Sequence, residues 1–227
     1  MTDMRRKGLI LGLLAVLTGC ASGTEEVPLQ VEIAKNARDI IKARRAGPAE
    51  LPPVTRAELD ALTAPALEAR VERLDMAAYL YVSAERDEGA AGHVQVWRTG
   101  DNVSLTMRNG VLVATRGIGG DILSSSVQVS GSLPGPSEGG PQVHLIRTGD
   151  IEERRMVLAC ELAERGPAQI EIVGRRHATR LIEQHCVGDT GEITNSYWID
   201  TGAGVVWQSR QWAGPEIGYM RFRLLRK

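Results

Sequence analysis

From Ala66 to the C-terminus the chain is a succession of short runs of branched and aromatic residues, each stopped by glycine, proline, aspartate or asparagine, with no helical periodicity between them. The runs are Tyr79–Val82, His93–Arg98, Val103–Met107, Val111–Thr115, Val143–Arg147, Arg154–Ala163, Gln169–Val173, Ala178–Cys186, Glu192–Ile199, Val205–Trp212 and Gly218–Leu225. Asn109-Gly110 is the clearest turn, because both residues tolerate the positive φ that a two-residue primed hairpin demands. Thr148-Gly149-Asp150, Arg165-Gly166-Pro167, Thr201-Gly202-Ala203-Gly204 and Gly214-Pro215 carry similar turn chemistry. About ten strands at such spacing predict an all-β fold, an antiparallel β-barrel or strongly curved sheet.

One or two N-terminal helices are expected before it. Val31, Ile33, Ala34, Ala37, Ile40 and Ile41 recur at three- and four-residue intervals among charged residues, which predicts an amphipathic helix over Val31–Arg45, stopped by Gly47-Pro48. Pro52-Pro53 keeps the connector extended, and Thr55 with Glu58 matches a capping box opening a short helix over Thr55–Leu62. The stretch Ser124–Pro141 is broken by Gly131, Pro134-Gly135-Pro136 and Gly139-Gly140-Pro141, and is expected to be a mobile surface loop, with a substrate lid as the alternative.

The N-terminus carries an address. Arg5, Arg6 and Lys7 precede an apolar run, Gly8–Thr18, whose helix would reach about 16 Å against a hydrocarbon core of about 30 Å. That is a cleaved secretory signal and not a span. Leu17-Thr18-Gly19-Cys20 closes it as a lipobox, resembling bacterial lipoprotein signals, which implies acyl chains on Cys20 and stable membrane anchoring. Ala21 and Ser22 follow with no acidic residue, which in that resemblance implies the periplasm-facing side of the outer membrane. The expected organisation is therefore a signal at 1–19, a lipidated tether at 20–30, helices and linker at 31–65, and one β-domain at 66–227.

Removing the signal takes away three basic and one acidic side chain and leaves 208 residues with net charge −3, so no nucleic-acid footprint is expected. With Cys20 lipidated, Cys160 and Cys186 are an even pair in an oxidising compartment. A disulfide is expected, with free thiols or a metal site as alternatives that lack paired zinc spacing.

Catalytic chemistry is sparse. His93, His144, His177 and His185 show no metal-ligand spacing, and Ser209, Asp200 and His185 lack a nucleophile elbow. Asp121, Glu192 and Asp200 are the carboxylates to examine for a glycan-modifying pair. No enzyme activity, cofactor or metal is expected. Gly117-Ile118-Gly119-Gly120-Asp121 lacks the spaced third glycine of a dinucleotide loop and is better explained as a tight excursion at a strand end. Tyr197, Trp198, Trp207, Trp212, Tyr219 and Phe222 form either a sugar-stacking platform or the barrel core.

Ala114–Ile122, the Cys160 and Cys186 pair, and Trp207-Gln208-Ser209-Arg210-Gln211-Trp212 together resemble the YjbF/GfcB family of outer-membrane lipoproteins, over most of the chain from about Leu59. The resemblance implies a β-barrel with N-terminal helices and an accessory role in exopolysaccharide or group 4 capsule production. It implies partners in an outer-membrane β-barrel protein and a periplasmic polysaccharide-export protein, and it transfers no catalytic site, since the family has no established catalytic residues; polysaccharide itself is a further candidate partner. Arg116, Gly117, Gly119, Asp121, Trp207, Arg210 and Trp212 are the candidate binding residues. The rival readings are a lipid- or glycan-binding barrel, with Arg116, Arg210 and the tryptophans as contacts, and a glycan-modifying enzyme.

Overall fold

Thr55 caps a six-residue helix, α1 (Arg56–Ala61): its hydroxyl accepts from the Glu58 N–H, and the Glu58 carboxylate accepts from the Thr55 N–H at 2.7 Å. Both partners of the capping box are therefore in place. The computed structural model describes residues 51–149, 152–189 and 191–227. The signal, Cys20, the tether and the helix expected over Val31–Arg45 lie outside the described residues.

Twelve strands follow α1: β1 (Ala66–Val71), β2 (Met76–Asp87), β3 (His93–Arg98), β4 (Ser104–Arg108), β5 (Val111–Arg116) and β6 (Ile122–Ser125). The second half comprises β7 (Gly140–Thr148), β8 (Glu152–Ile172), β9 (Arg175–Gly188), β10 (Gly191–Asp200), β11 (Val205–Trp212) and β12 (Tyr219–Arg226). They form one sheet in the order β5-β4-β3-β2-β1-β12-β11-β10-β9-β8-β7-β6, antiparallel in every described pairing. Because β1 pairs with β12, chain order runs around a nearly closed barrel whose single seam lies between β5 and β6. Closure of this kind leaves few free edges to aggregate.

Strand alternation sets the two faces. Leu67, Ala69 and Val71 of β1 and Met220 and Phe222 of β12 point into the main core with Leu80, Trp97, Leu105, Met107 and Leu112. Ile193, Asn195, Tyr197 and Ile199 of β10 are buried at every second position. Trp97, Tyr197 and Phe222 are almost wholly buried, so this part of the interior is packed. Outward positions of β8 and β9 carry Arg155, Glu161 and His185, a polar face incompatible with hydrocarbon.

The hairpin between β4 and β5 turns on Asn109 and Gly110, at φ 51° and 83°, as a primed turn requires. A Cβ on Gly110 would also fall 2.7 Å from Val206 Cγ2, so the turn's close approach to β11 needs glycine twice over.

Three expectations are corrected. Twelve strands are present among the described residues where about ten were expected, chiefly because β1 and β6 are short and weakly patterned. Arg165-Gly166-Pro167 does not connect two strands: it lies inside the single strand β8, at a bulge between Glu164 and Gly166. Pairing of β8 with β7 ends at Cys160, so Pro167 sits on an edge where no ladder donor is required. The pattern-poor stretch is also shorter than expected, since Ser124 and Ser125 belong to β6 and Gly140 and Pro141 to β7. The remainder is tied down. Asn109 Nδ2 donates to the carbonyls of Gly131 and Leu133, Gly135 N–H donates to Asn109 O, and Val127 and Val129 pack on Val111, Tyr197 and Ile199.

Candidate functional site

The segment 114–122 forms the seam. Thr115 Oγ1 donates to Asp121 Oδ1 at 3.0 Å, and the N–H groups of Gly117 and Ile118 donate to the same carboxylate. Arg116 donates to the carbonyls of Thr115, Ile122 and Leu123. Asp121 is buried, Gly117, Gly119 and Gly120 take positive φ, and the Asp121 carbonyl accepts from Arg147 N–H of β7. The side chains thus do at the seam what a ladder does elsewhere.

Trp207 and Trp212 belong to two different clusters of the core. Trp207 is the residue skipped where β10 and β11 shift register, and it packs with Leu59 of α1, Ile172 and Leu225. Its Nε1 donates to Asp200, and its ring stands 3.9 Å from that of His177. Trp212 packs on the cluster of Ile146, Met156, Leu158 and Ile193 around Cys160 and Cys186, which are joined by a disulfide directly across β8 and β9.

Of the expected binding residues, Arg210 lines an open groove. About 450 Å³ in volume, this groove is bounded by Glu68, Arg70, Trp198, Gln208, Arg210, Arg221 and Arg223, from β1, β10, β11 and β12. The register explains the assembly: Arg70, Arg221 and Arg210 form one cross-strand row, and Glu68, Arg223, Gln208 and Trp198 form the next. Like charges side by side need an anion among them. Glu72 supplies one, accepting from Arg210 Nη2 at 2.9 Å and from Arg221 Nη2 at 3.0 Å. Burial works to raise the Glu72 carboxyl, but the hydrogen bonds and charges of Arg210 and Arg221 prevail and hold it below the usual carboxylate range. Glu68 is forked by Arg223, and the Arg210 guanidinium lies 3.6 Å from the Tyr219 ring centroid.

Trp198 is among the aromatics weighed as a stacking platform, but sequence reasoning missed Arg70, Arg221 and Arg223. Arg221-Phe222-Arg223 does carry the period-two signal of outward arginines about a buried Phe222, but which strands stand beside it is not a local property.

A second cavity, about 340 Å³, opens at one mouth of the barrel, with Leu67, Trp97, Met107 and Leu224 on its apolar side and Asp87 and Lys227 among its polar lining. Trp97 Nε1 is buried with no acceptor among the described residues. The carboxylates examined for catalysis stand in unrelated surroundings. Asp121 belongs to the seam, Glu192 lies 3.7 Å from His185, and Asp200 is held low first by the Ala203 N–H, then by Trp207. Among the described residues no group of three His, Cys, Asp or Glu is arranged to hold a metal ion.

Fold and site define a disulfide-bridged, nearly closed antiparallel barrel with a guanidinium-rich groove on its outer face. The chain belongs to the YjbF family, described as group 4 capsule polysaccharide lipoprotein gfcB, whose model matches residues 36–225. A solved structure, the hypothetical lipoprotein YmcC from Escherichia coli (K12), is similar at 18% identity, covering 77% of this chain and 89% of that one with a TM-score of 0.63, a likeness of fold. Among curated proteins none matches.

Proposed function

We propose that this protein is a non-enzymatic lipoprotein that assists exopolysaccharide or capsule secretion or assembly from the periplasmic face of the outer membrane. The observation that carries this reading is its membership, over residues 36–225, of a family of capsule polysaccharide lipoproteins. Acyl chains on Cys20 would confine the barrel to the membrane face, where a high effective concentration lets weak contacts with a secretion partner and with the polymer persist. The outer-membrane β-barrel and periplasmic export proteins are its proposed partners.

Deleting the gene is expected to lower surface polysaccharide, restored by the wild-type gene and not by Cys20→Ser. Unchanged surface glycan after deletion overturns the role, and full rescue by Cys20→Ser overturns the anchor.

The mouth cavity favours a second reading, a lipid- or glycan-binding module. Leu67, Met107 and Leu224 offer a ligand an apolar wall, and Gln95 and Lys227 offer it donors. Co-purification of one stoichiometric lipid or glycan, identified by mass spectrometry, would favour this reading; recovery of export proteins without it would favour the first.

A further inference from the structure

We infer that the groove between β1, β12, β11 and β10 binds carboxylated sugar residues of an acidic polysaccharide, with Arg70, Arg221 and Arg210 facing the carboxylates and Trp198 and Gln208 facing a ring. This deepens the proposed role in polysaccharide secretion and rests on it.

Three features point to that ligand. The first is charge: four arginines line the groove against Glu68 within it, Glu72 beside it and Asp75, which holds Arg70 at 2.7 Å. A positive excess is left, and Arg221 remains half-exposed with only Glu72 as its carboxylate partner among the described residues. The second is geometry. A planar guanidinium matches a carboxylate with two parallel hydrogen bonds, as Arg210 and Arg223 already do with Glu72 and Glu68. Strands stand about 4.8 Å apart, so the row from Arg70 through Arg221 to Arg210 spans about 10 Å, room for about two sugar rings end to end.

The third is the neighbouring row. Trp198, partly exposed, offers an indole face to the apolar C–H face of a pyranose, and the Gln208 amide beside it can both donate to and accept from hydroxyls. A bare phosphate would use the arginines and ignore the indole; a neutral glycan would use the indole and leave the positive excess of the groove unused. The groove is open along the sheet face, so a polymer can lie across it with both ends free.

The test is calorimetric titration of the whole detergent-extracted protein with oligogalacturonate, with a neutral dextran oligosaccharide of equal length, and with inorganic phosphate. Oligogalacturonate is expected to bind at least about tenfold more tightly than either comparator and to weaken as salt rises. Arg221→Gln and Trp198→Ala are each expected to weaken it by about fivefold or more with the melting temperature unchanged, since each removes one recognition element from the surface. Arg70→Gln is the substitute if either variant fails to fold.

Equal affinity for the neutral oligosaccharide overturns the inference, as does no binding of oligogalacturonate. Binding indifferent to Trp198→Ala and matched by phosphate reduces the groove to a simple anion site. None of these outcomes touches the deletion phenotype, so the secretion role stands or falls separately.

Discussion

Gln211 completes the edge of β5 from the inside of the barrel: its Oε1 accepts from Leu112 N–H at 2.8 Å and its Nε2 donates to Gly110 O at 2.9 Å. β11 and β5 are not neighbours in the sheet, so a side-chain amide here stands in for part of a missing strand. The same amide accepts from Tyr197 Oη and donates to Ser209 Oγ, and Leu112, Tyr197 and Ser209 are buried with it while Gly110 is half-buried.

Replacing Gln211 with leucine keeps the volume roughly constant but orphans Leu112 N–H and Gly110 O. The expected loss is about 3 kcal/mol or more, because unsatisfied buried groups bear their full desolvation cost. Gln208→Leu on the outer face is expected to change stability by less than about 0.5 kcal/mol. Equal urea midpoints for the two variants would refute the assigned role of Gln211.

Much of the fold is legible locally. Asn109-Gly110 and the pair of Thr55 and Glu58 act within a few residues, so their chemistry fixes geometry wherever they occur, and the structure reproduces both. Arg165-Gly166-Pro167 misleads because a bulge on an unpaired edge uses the same residues as a turn. Cys160 and Cys186 are readable as a pair by parity, while their placement directly opposite one another depends on register. The groove is least legible. Tyr197 and Trp198 are adjacent aromatics, one buried and one facing Gln208, and the alternation shows that they part without showing which turns outward. Arg70 meets Arg221 only because β1 closes on β12, and no local pattern announces that pairing.

The bridge between Cys160 and Cys186 closes a sequence separation of 26, worth about 3 to 4 kcal/mol in the chain-entropy model. Replacing both with alanine is expected to lower stability by about that amount. Dithiothreitol should lower the urea midpoint of the wild type similarly and leave the double variant unmoved. A reductant effect on the double variant would place the sensitivity elsewhere.

Asp121 gathers three donors onto one buried carboxylate at the seam, where no strand pairing between β5 and β6 takes over if it is lost. Asp121→Ala is expected to cost about 2 to 4 kcal/mol. It should also speed hydrogen exchange at the amides of Gly117 and Ile118 more than at those of β10. Unchanged stability would show that the Asp121 carboxylate does not hold the seam together.

His144 sits buried on β7 with its Nδ1 against Ser125 Oγ, its ring edge-on to Trp212, and its Nε2 without a partner among the described residues. Burial alone pushes its imidazole down to about 4, from an ordinary value near 6.5. The folded state therefore keeps His144 neutral in a range where the unfolded chain protonates it. Its contribution is fully present above about pH 6.5 and is lost progressively as the pH falls towards 4, amounting to about 3 kcal/mol. Other groups titrate in the same window, so the comparison must be with His144→Gln, which removes the proton site and keeps a polar side chain near Ser125. The wild type is expected to lose more stability than this variant between pH 7 and pH 4.5, measured by urea unfolding at each pH. Parallel losses in the two proteins would show that the acid sensitivity of the barrel arises elsewhere.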